Sequence, residues 1–371
     1  MRHARLVTTV TTATTAALAL LLPGCFDGGT TERAPAVHVD EFQVLRTYGW
    51  DTTVSDPQAQ WNPENYQVLV RSTGGFALLD EGRGRQQYFS AKDKRETSHP
   101  VWISRLQFAF GPHRNVIRTD DGRLVPNSEG LTVITLQETT TGKDYANSAH
   151  TLTNSGSRPK VWQQNLVAQF EDHLLIIDPY GMISEFGPGF NPEPQRQGPG
   201  MAWLDHPVFE PDYWSGGSVT LGKMVIRWQA GVTTELANAV EASWTSNGGL
   251  LATVLHHEPL AGQPWWKAGS DVWYIAGPQA KPKMVAAHVH GPSAHPGQAL
   301  FAAVDNVSGA VELYSDDGRD RREFAVLGDH PAWSFDGQRL MVEETVPAKP
   351  DLRYLRVSVL HLGKPLTAHA P

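Results

Sequence analysis

Fifteen histidines, twelve tryptophans and one cysteine are the residues of this 371-residue chain whose chemistry invites a functional reading. Two histidine groups stand out, His256-His257-Glu258 and His288-Val289-His290. Neutral imidazole is a common ligand for divalent metals. On a β-strand, residues two apart share a face, so His288 and His290 could reach one ion, with His256 or His257 as a further ligand. The competing reading is ordinary surface or channel histidine. Trp265 and Trp266 are adjacent, beside Pro264 and Gly262. An exposed aromatic pair could stack on a sugar ring or grip a protein partner; alternatively, one indole caps a face of the fold. Patterns for other chemistries are missing from the sequence. It has no Gly-x-Ser-x-Gly elbow, phosphate loop, dinucleotide fingerprint, zinc-finger spacing or EF-hand loop. The acid pairs Asp120-Asp121 and Asp316-Asp317 belong to Asp-Gly turns, and Glu343-Glu344 lies on a strand, where neighbours point to opposite faces.

Composition narrows the classes further. One cysteine cannot make an internal disulfide, which excludes a disulfide-stapled scaffold. A formal charge of -8 argues against a nucleic-acid partner. With 40% hydrophobic residues the chain can build a large core.

Residues 1–24 read as an export signal. Arg2 and Arg5 precede an uncharged run from Leu6 to Leu22, followed by Pro23-Gly24-Cys25. The run has 17 residues, six of them Thr, short of the roughly 20 apolar residues that a membrane span needs. Loss of 1–24 removes two arginines and leaves a formal charge of -10. Residues 25–36 form a polar tether, and the folded part is expected over 37–371.

The elements that must position any site follow from a repeat. Trp61, Trp102, Trp162, Trp203, Trp244, Ala294 and Trp333 are spaced by 41, 60, 41, 41, 50 and 39 residues. Trp244 and Trp333 are followed by an Asn-Gly and an Asp-Gly turn and a hydrophobic strand, and Trp61 keeps the spacing with a Pro-containing turn. His99-Pro-Val-Trp102 echoes His330-Pro-Ala-Trp333, and Pro292-Ser-Ala294 marks a position where Trp is replaced. A period near 41 suits the roughly 40–45 residues of a four-stranded propeller blade. The long gaps are read as insertions at Glu138–Ser157 and Glu258–Gly269. No stretch has helical period with caps. The chain is therefore expected to be all-β: a single propeller with four-stranded antiparallel blades, seven in number, with six as the alternative. Val39 to Thr47 alternates like a strand and is expected to complete the last blade, covering its edge. The anchor tryptophans are expected to pack between blades.

Three resemblances add to this. Leu22-Pro-Gly-Cys25 is similar to the lipobox of bacterial lipoproteins, which implies acylation of Cys25 and membrane attachment through acyl chains alone. An ordinary secretory signal and a membrane anchor are the alternatives. In the Gram-negative system, Phe26 after the cysteine implies the outer membrane. Pro331-Ala-Trp-Ser-Phe-Asp-Gly337 resembles the repeat of TolB-like propellers, with Phe335 where Pro is usual. The segment His288-Val-His-Gly-Pro-Ser-Ala-His295-Pro-Gly-Gln298 is similar to the metal-binding blade of oligogalacturonate lyases, which are TolB-like propellers; Val285 stands where that family has a ligating Gln.

The expected protein is a lipid-anchored cell-envelope propeller, facing the periplasm or the cell surface. Its leading function is a binding module for an envelope protein or a glycan, with no cofactor, using the face that carries the long insertions, including Trp265 and Trp266. The alternative is a carbohydrate-active enzyme with one divalent ion on His288 and His290.

Overall fold

The computed structural model describes residues 37–38, 42–52, 59–72, 74–80, 85–90, 97–112, 116–118, 124–126, 130–140, 145–154, 156–196, 198–205, 221–258, 265–349 and 352–362. Cys25 lies outside the described residues.

Seven four-stranded antiparallel sheets follow one another along the chain, at 60–90, 101–151, 157–188, 190–237, 239–287, 289–327 and 329–362. They are the blades of a seven-bladed propeller, numbered here in that order. In blades 1 to 6 each sheet runs from its first strand, innermost, to its fourth, outermost. The only helical pieces among the described residues are two short 3-10 turns, Gln229–Gly231 and Trp265–Ala268.

Apolar burial is distributed around the ring. Seven clusters each bridge one pair of neighbouring blades, and none spans the whole molecule. The second strands are covered on both faces, so Gln67–Ser72, Leu250–Leu255 and Leu300–Asp305 are buried along their whole length. The ring closes as the N-terminal alternation implied. Phe42–Thr52 pairs antiparallel with Leu352–Leu362 as the outermost strand of blade 7. Before it, Val37–His38 adds a fifth, parallel strand to blade 6.

The tryptophan period has a physical origin. The indole N–H of Trp333 donates to Ser293 O, that of Trp61 to Ala332 O, that of Trp102 to Gln60 O and that of Trp244 to Glu193 O, at 2.8–3.2 Å. In each case the acceptor is the innermost strand of the preceding blade, one residue before its own anchor position. The turn that follows explains the rest of the motif. Ser334 Oγ donates to Asp336 Oδ1 at 2.7 Å, and Gly337 turns with φ 72°. A Cβ on Gly337 would stand 2.2 Å from His295 Nε2 of blade 6, so only glycine fits.

Two expectations are corrected. Trp203 lies on the second strand of blade 4, Met201–Leu204. Its blade's anchor position is Pro194, because Gln195 N–H bonds Gly200 O just as Ser334 N–H bonds Arg339 O. The spacing of Trp203 from its neighbours is coincidental. Likewise, Glu138–Ser157 is not an insertion: it contains Tyr145–Thr151, the outermost strand of blade 2. That strand is exposed at all but its first residue, so it shows no apolar alternation. The extra length lies earlier, between Phe110 and Thr132, and includes a small hairpin of Val116–Arg118 and Leu124–Pro126.

Candidate functional site

The innermost strands begin at one face of the ring, called the upper face here, and end at the other. With four antiparallel strands per blade, the second-to-third connections and the links between blades also lie at the upper face. Three long second-to-third connections leave from it: Phe110 to Thr132, Leu204 to Lys223 and Leu255 to Ser270. The last is the expected Glu258–Gly269 insertion.

Just below the upper face, the innermost strands of blades 3, 4, 6 and 7 each carry one extra residue against their partner, a β-bulge. The bulges fall on Arg158-Pro159, Asn191-Pro192, Gly291-Pro292 and His330-Pro331. Proline suits them because it has no N–H to leave unpaired. The residue before it is left-handed, with φ of 49°, 46°, 61° and 47°. Counting back from the anchors, His99 of blade 2 and Glu241 of blade 5 occupy the same level. The result is a ring of side chains around the propeller axis, above a cavity of about 380 Å³. One level deeper, Gln60, Lys160, Glu193, Ser243, Ser293 and Ala332 line the same cavity.

The wall is electrostatically divided. Blades 2 and 3 present His99, Arg158 and Lys160, whereas blades 4 and 5 present Glu193 and Glu241. Lys160 Nζ lies 3.3 Å from Glu193 Oε2, and Arg158 Nη1 donates to Asn191 Oδ1 at 2.8 Å. Between the acidic blades, Leu204, Met224 and Val240, each at most 6% exposed, form the apolar floor of a shallow recess in the cavity wall. Glu241 Oε2 accepts the N–H of Gly291 at 3.1 Å and the hydroxyl of Thr253 at 3.3 Å. Burial pushes the Glu241 pKa up, against the pull of His290 and His330.

Behind Glu241, buried His290 pairs with the partly exposed Asp329. Asn306 Nδ2 donates to Ser270 O, which fixes its amide so that Oδ1 faces His290 Nδ1 at 2.7 Å. That ring nitrogen must carry a proton. The other, Nε2, faces Asp329 Oδ1 at 3.4 Å. Burial opposes the charge on His290, but Asp329 and Glu241 outweigh it and hold the pKa above the ordinary histidine value. Burial would raise Asp329 as well; His330 and His290 instead hold it far below the usual carboxylate range. The Trp266 ring stacks on His290 at 5.3 Å between centroids and 13° between planes, as a cation–π contact would.

The histidines singled out by sequence therefore separate. His288 precedes the strand Val289–Ala294, with φ 60° and an exposed side chain, while His290 is buried. The assumption that both sit on one strand and share a face fails at that residue. His288 instead meets His256, ring centroids 6.2 Å apart, and Asp271 joins them: its Oδ2 is 2.8 Å from His256 Nε2, and its Oδ1 accepts the N–H of His288. His257 and Glu258 are exposed. Among the described residues, no group of three or more His, Cys, Asp or Glu is placed to hold a metal ion. Trp265 and Trp266 lie in the 3-10 turn Trp265–Ala268 at the upper face, with Trp266 half-buried over blade 5. Sequence reasoning missed Arg158, Asn191, Glu241 and Asp329. The recurring x-Pro pair before the anchor was the available signal for the first two.

No protein-family model matches the chain, and it matches none of the curated proteins. Solved structures do match in fold. A chain of the mitotic checkpoint complex superposes with a TM-score of 0.56 at 9% identity, covering 89% of this chain and 98% of that one. The Pan2 WD40 domain of Neurospora crassa gives 0.53 at 11% identity, covering 87% and 97%. Kuenenia stuttgartiensis hydrazine synthase gives 0.51 at 10% identity, covering 86% and 96%. These similarities, together with the ring geometry, make the chain an all-β seven-bladed propeller with WD40-like structural neighbours.

Proposed function

We propose that this protein is a TolB-like, lipid-anchored propeller of the bacterial cell envelope that binds a protein partner through its upper face. The observation that carries the reading is the polarity of the ring. The strand ends that flank the three long connections, Phe110 and Thr132, Leu204 and Lys223, and Leu255 and Ser270, all lie at the upper face. The chain enters from the opposite side: Val37–His38 runs parallel to Arg321–Leu327, paired near the beginning of that strand, at the lower face. An acylated Cys25 would thus tether the pole opposite the binding face. Acylation follows from the lipobox likeness, and multiple chains give stable anchoring. Propellers present loops on a rigid ring, which suits recognition.

The glycan and metal-enzyme alternatives are less well supported. Trp266 is half-buried and stacks one ring face on His290, which leaves less of it for a sugar. Both ring nitrogens of His290 are directed at Asn306 and Asp329, away from a role as metal ligand beside His288. The test is affinity capture from envelope extract. Full-length protein should retain one defined partner, and replacing residues 206–220 with a Gly/Ser linker should lose it while the propeller stays folded by circular dichroism. Unchanged capture by that variant and by a matching 259–264 variant would refute the upper-face assignment. Metabolic labelling with palmitate, lost in Cys25→Ser, tests the anchor.

A further inference from the structure

The axial cavity has a composition that a protein-docking face does not require. Its wall carries a cationic arc, an adjacent anionic arc and an apolar recess beside the latter. Arg158 and Lys160 supply the first, Glu193 and Glu241 the second, and Leu204, Met224 and Val240 the third. Lys160 and Glu193 meet at the seam, with about a third of each side chain still exposed, so the pair is open to the cavity. The volume, about 380 Å³, falls in the range of small-molecule sites, roughly 300–1,000 Å³. Blade 6 leaves the ring position empty of a side chain. Where five other blades place His99, Arg158, Asn191, Glu241 and His330, blade 6 has Gly291. A Cβ built there meets only Pro331 Cδ, at 3.9 Å, so packing does not demand the glycine.

From this arrangement we infer that the axial cavity binds a small zwitterion with an apolar side chain, of the class of a hydrophobic α-amino acid or dipeptide. The ligand carboxylate is directed to Arg158 and Lys160, its ammonium to Glu241 and Glu193, and its side chain to the recess of Leu204, Met224 and Val240. A carboxylate and an ammonium on one small molecule match adjacent arcs of opposite charge, whereas a simple anion or cation would engage only one of them. Gly291 keeps the space through which the ligand enters. The inference is independent of acylation and of any protein partner.

Isothermal titration of the full-length protein in detergent tests it, with L-leucine, glycine, N-acetyl-L-leucine and L-leucine amide as probes. L-leucine should bind saturably, one per chain. Removing either charge, in N-acetyl-L-leucine or L-leucine amide, should weaken binding at least tenfold, and glycine should bind at least tenfold more weakly. Gly291→Asn is the decisive variant. Asn191 already occupies the equivalent left-handed position with φ 46°, so the substitution should fold normally while obstructing the cavity and abolishing leucine binding. Glu241→Gln should reduce leucine affinity at least tenfold and leave weak N-acetyl-L-leucine binding unchanged. The inference is overturned if no zwitterion binds, if the acetylated and amidated forms bind as well as leucine, or if a folded Gly291→Asn variant binds leucine normally.

Discussion

Blades 7 and 3 carry the same bulge and each ends its innermost strand on a tryptophan, yet they use them differently. In blade 7 the bulge holds Asp329 against His290 of blade 6, and Trp333 donates across the same boundary to Ser293 O. In blade 3 the corresponding residue, Ser157, bonds Gln169 O within its own sheet. Trp162 comes one residue later in register than Trp333, and its Nε1 is buried without a hydrogen-bond partner. Blade 7 is thus fastened to the preceding blade by polar groups, while blade 3 meets its preceding blade through apolar packing of Val101, Leu131 and Val133 against Leu166, Ala168 and Ile177; the polar contacts of blade 3, Lys160 with Glu193 and Arg158 with Asn191, go to the following blade. Sequence similarity between blades does not guarantee that the contact is repeated.

Unfolding measurements can break this comparison. The largest effect is expected at the His290–Asp329 pair: Asp329→Asn should destabilise by about 2–3 kcal/mol, since it removes the carboxylate from a buried His290 although Asp329 itself is 31% exposed, whereas Ser157→Ala should cost only about 1 kcal/mol. Urea denaturation of both variants checks the contrast; equal losses would remove it. The pair also sets a pH window. The raised His290 pKa gives stability that is lost as pH rises through the folded value, above 6.5. The depressed Asp329 pKa gives stability that is present above about 4 and lost as pH falls toward the folded value. Wild type should therefore lose stability at both ends relative to Asp329→Asn.

The indoles come next. Trp333→Phe removes the indole bond to Ser293 O, which keeps its ladder partner on Ala302, and should cost about 1 kcal/mol, whereas Trp162→Phe sacrifices no hydrogen bond and should cost less. A Trp162→Phe loss as large as that of Trp333→Phe would show that packing, not the indole bond, sets the period.

An effect opposite in sign is expected at the lower face of blade 6. Asp316 is buried with both carboxylate oxygens unpartnered, and burial, with repulsion from Asp317, pushes its pKa up to about 6. The folded state therefore binds the proton more tightly than the unfolded chain, and stability rises as pH falls from about 6 toward 4. Asp316→Asn should stabilise by about 1–2 kcal/mol at pH 7.5 and by nothing near pH 3.5. Thermal unfolding at the two pH values reads this directly.

Much of this architecture was legible in the sequence because Trp61, Trp102, Trp244 and Trp333 are fixed by one repeated bond, and Gly337 by one close approach. The closing N-terminal strand was legible because its alternation is regular. Trp203 misled because its spacing mimics the period from the wrong strand. The exposed strand Tyr145–Thr151 hid because it buries nothing that alternates. The candidate site was harder to read. Arg158, Asn191, Gly291 and His330 are alike only in being followed by proline, and their convergence depends on closing a ring, which no local pattern reports. His288 and His290 looked like a pair, but a left-handed residue before the strand turns one outward.

The account stands most directly on which pole of the ring recognises a partner. Hydrogen exchange of the captured complex, compared with the free protein, measures it. Protection should appear at the upper connections, residues 111–131, 205–222 and 256–269, with the lower turns at 316–320 and 334–338 unchanged. Protection confined to those lower turns would contradict it.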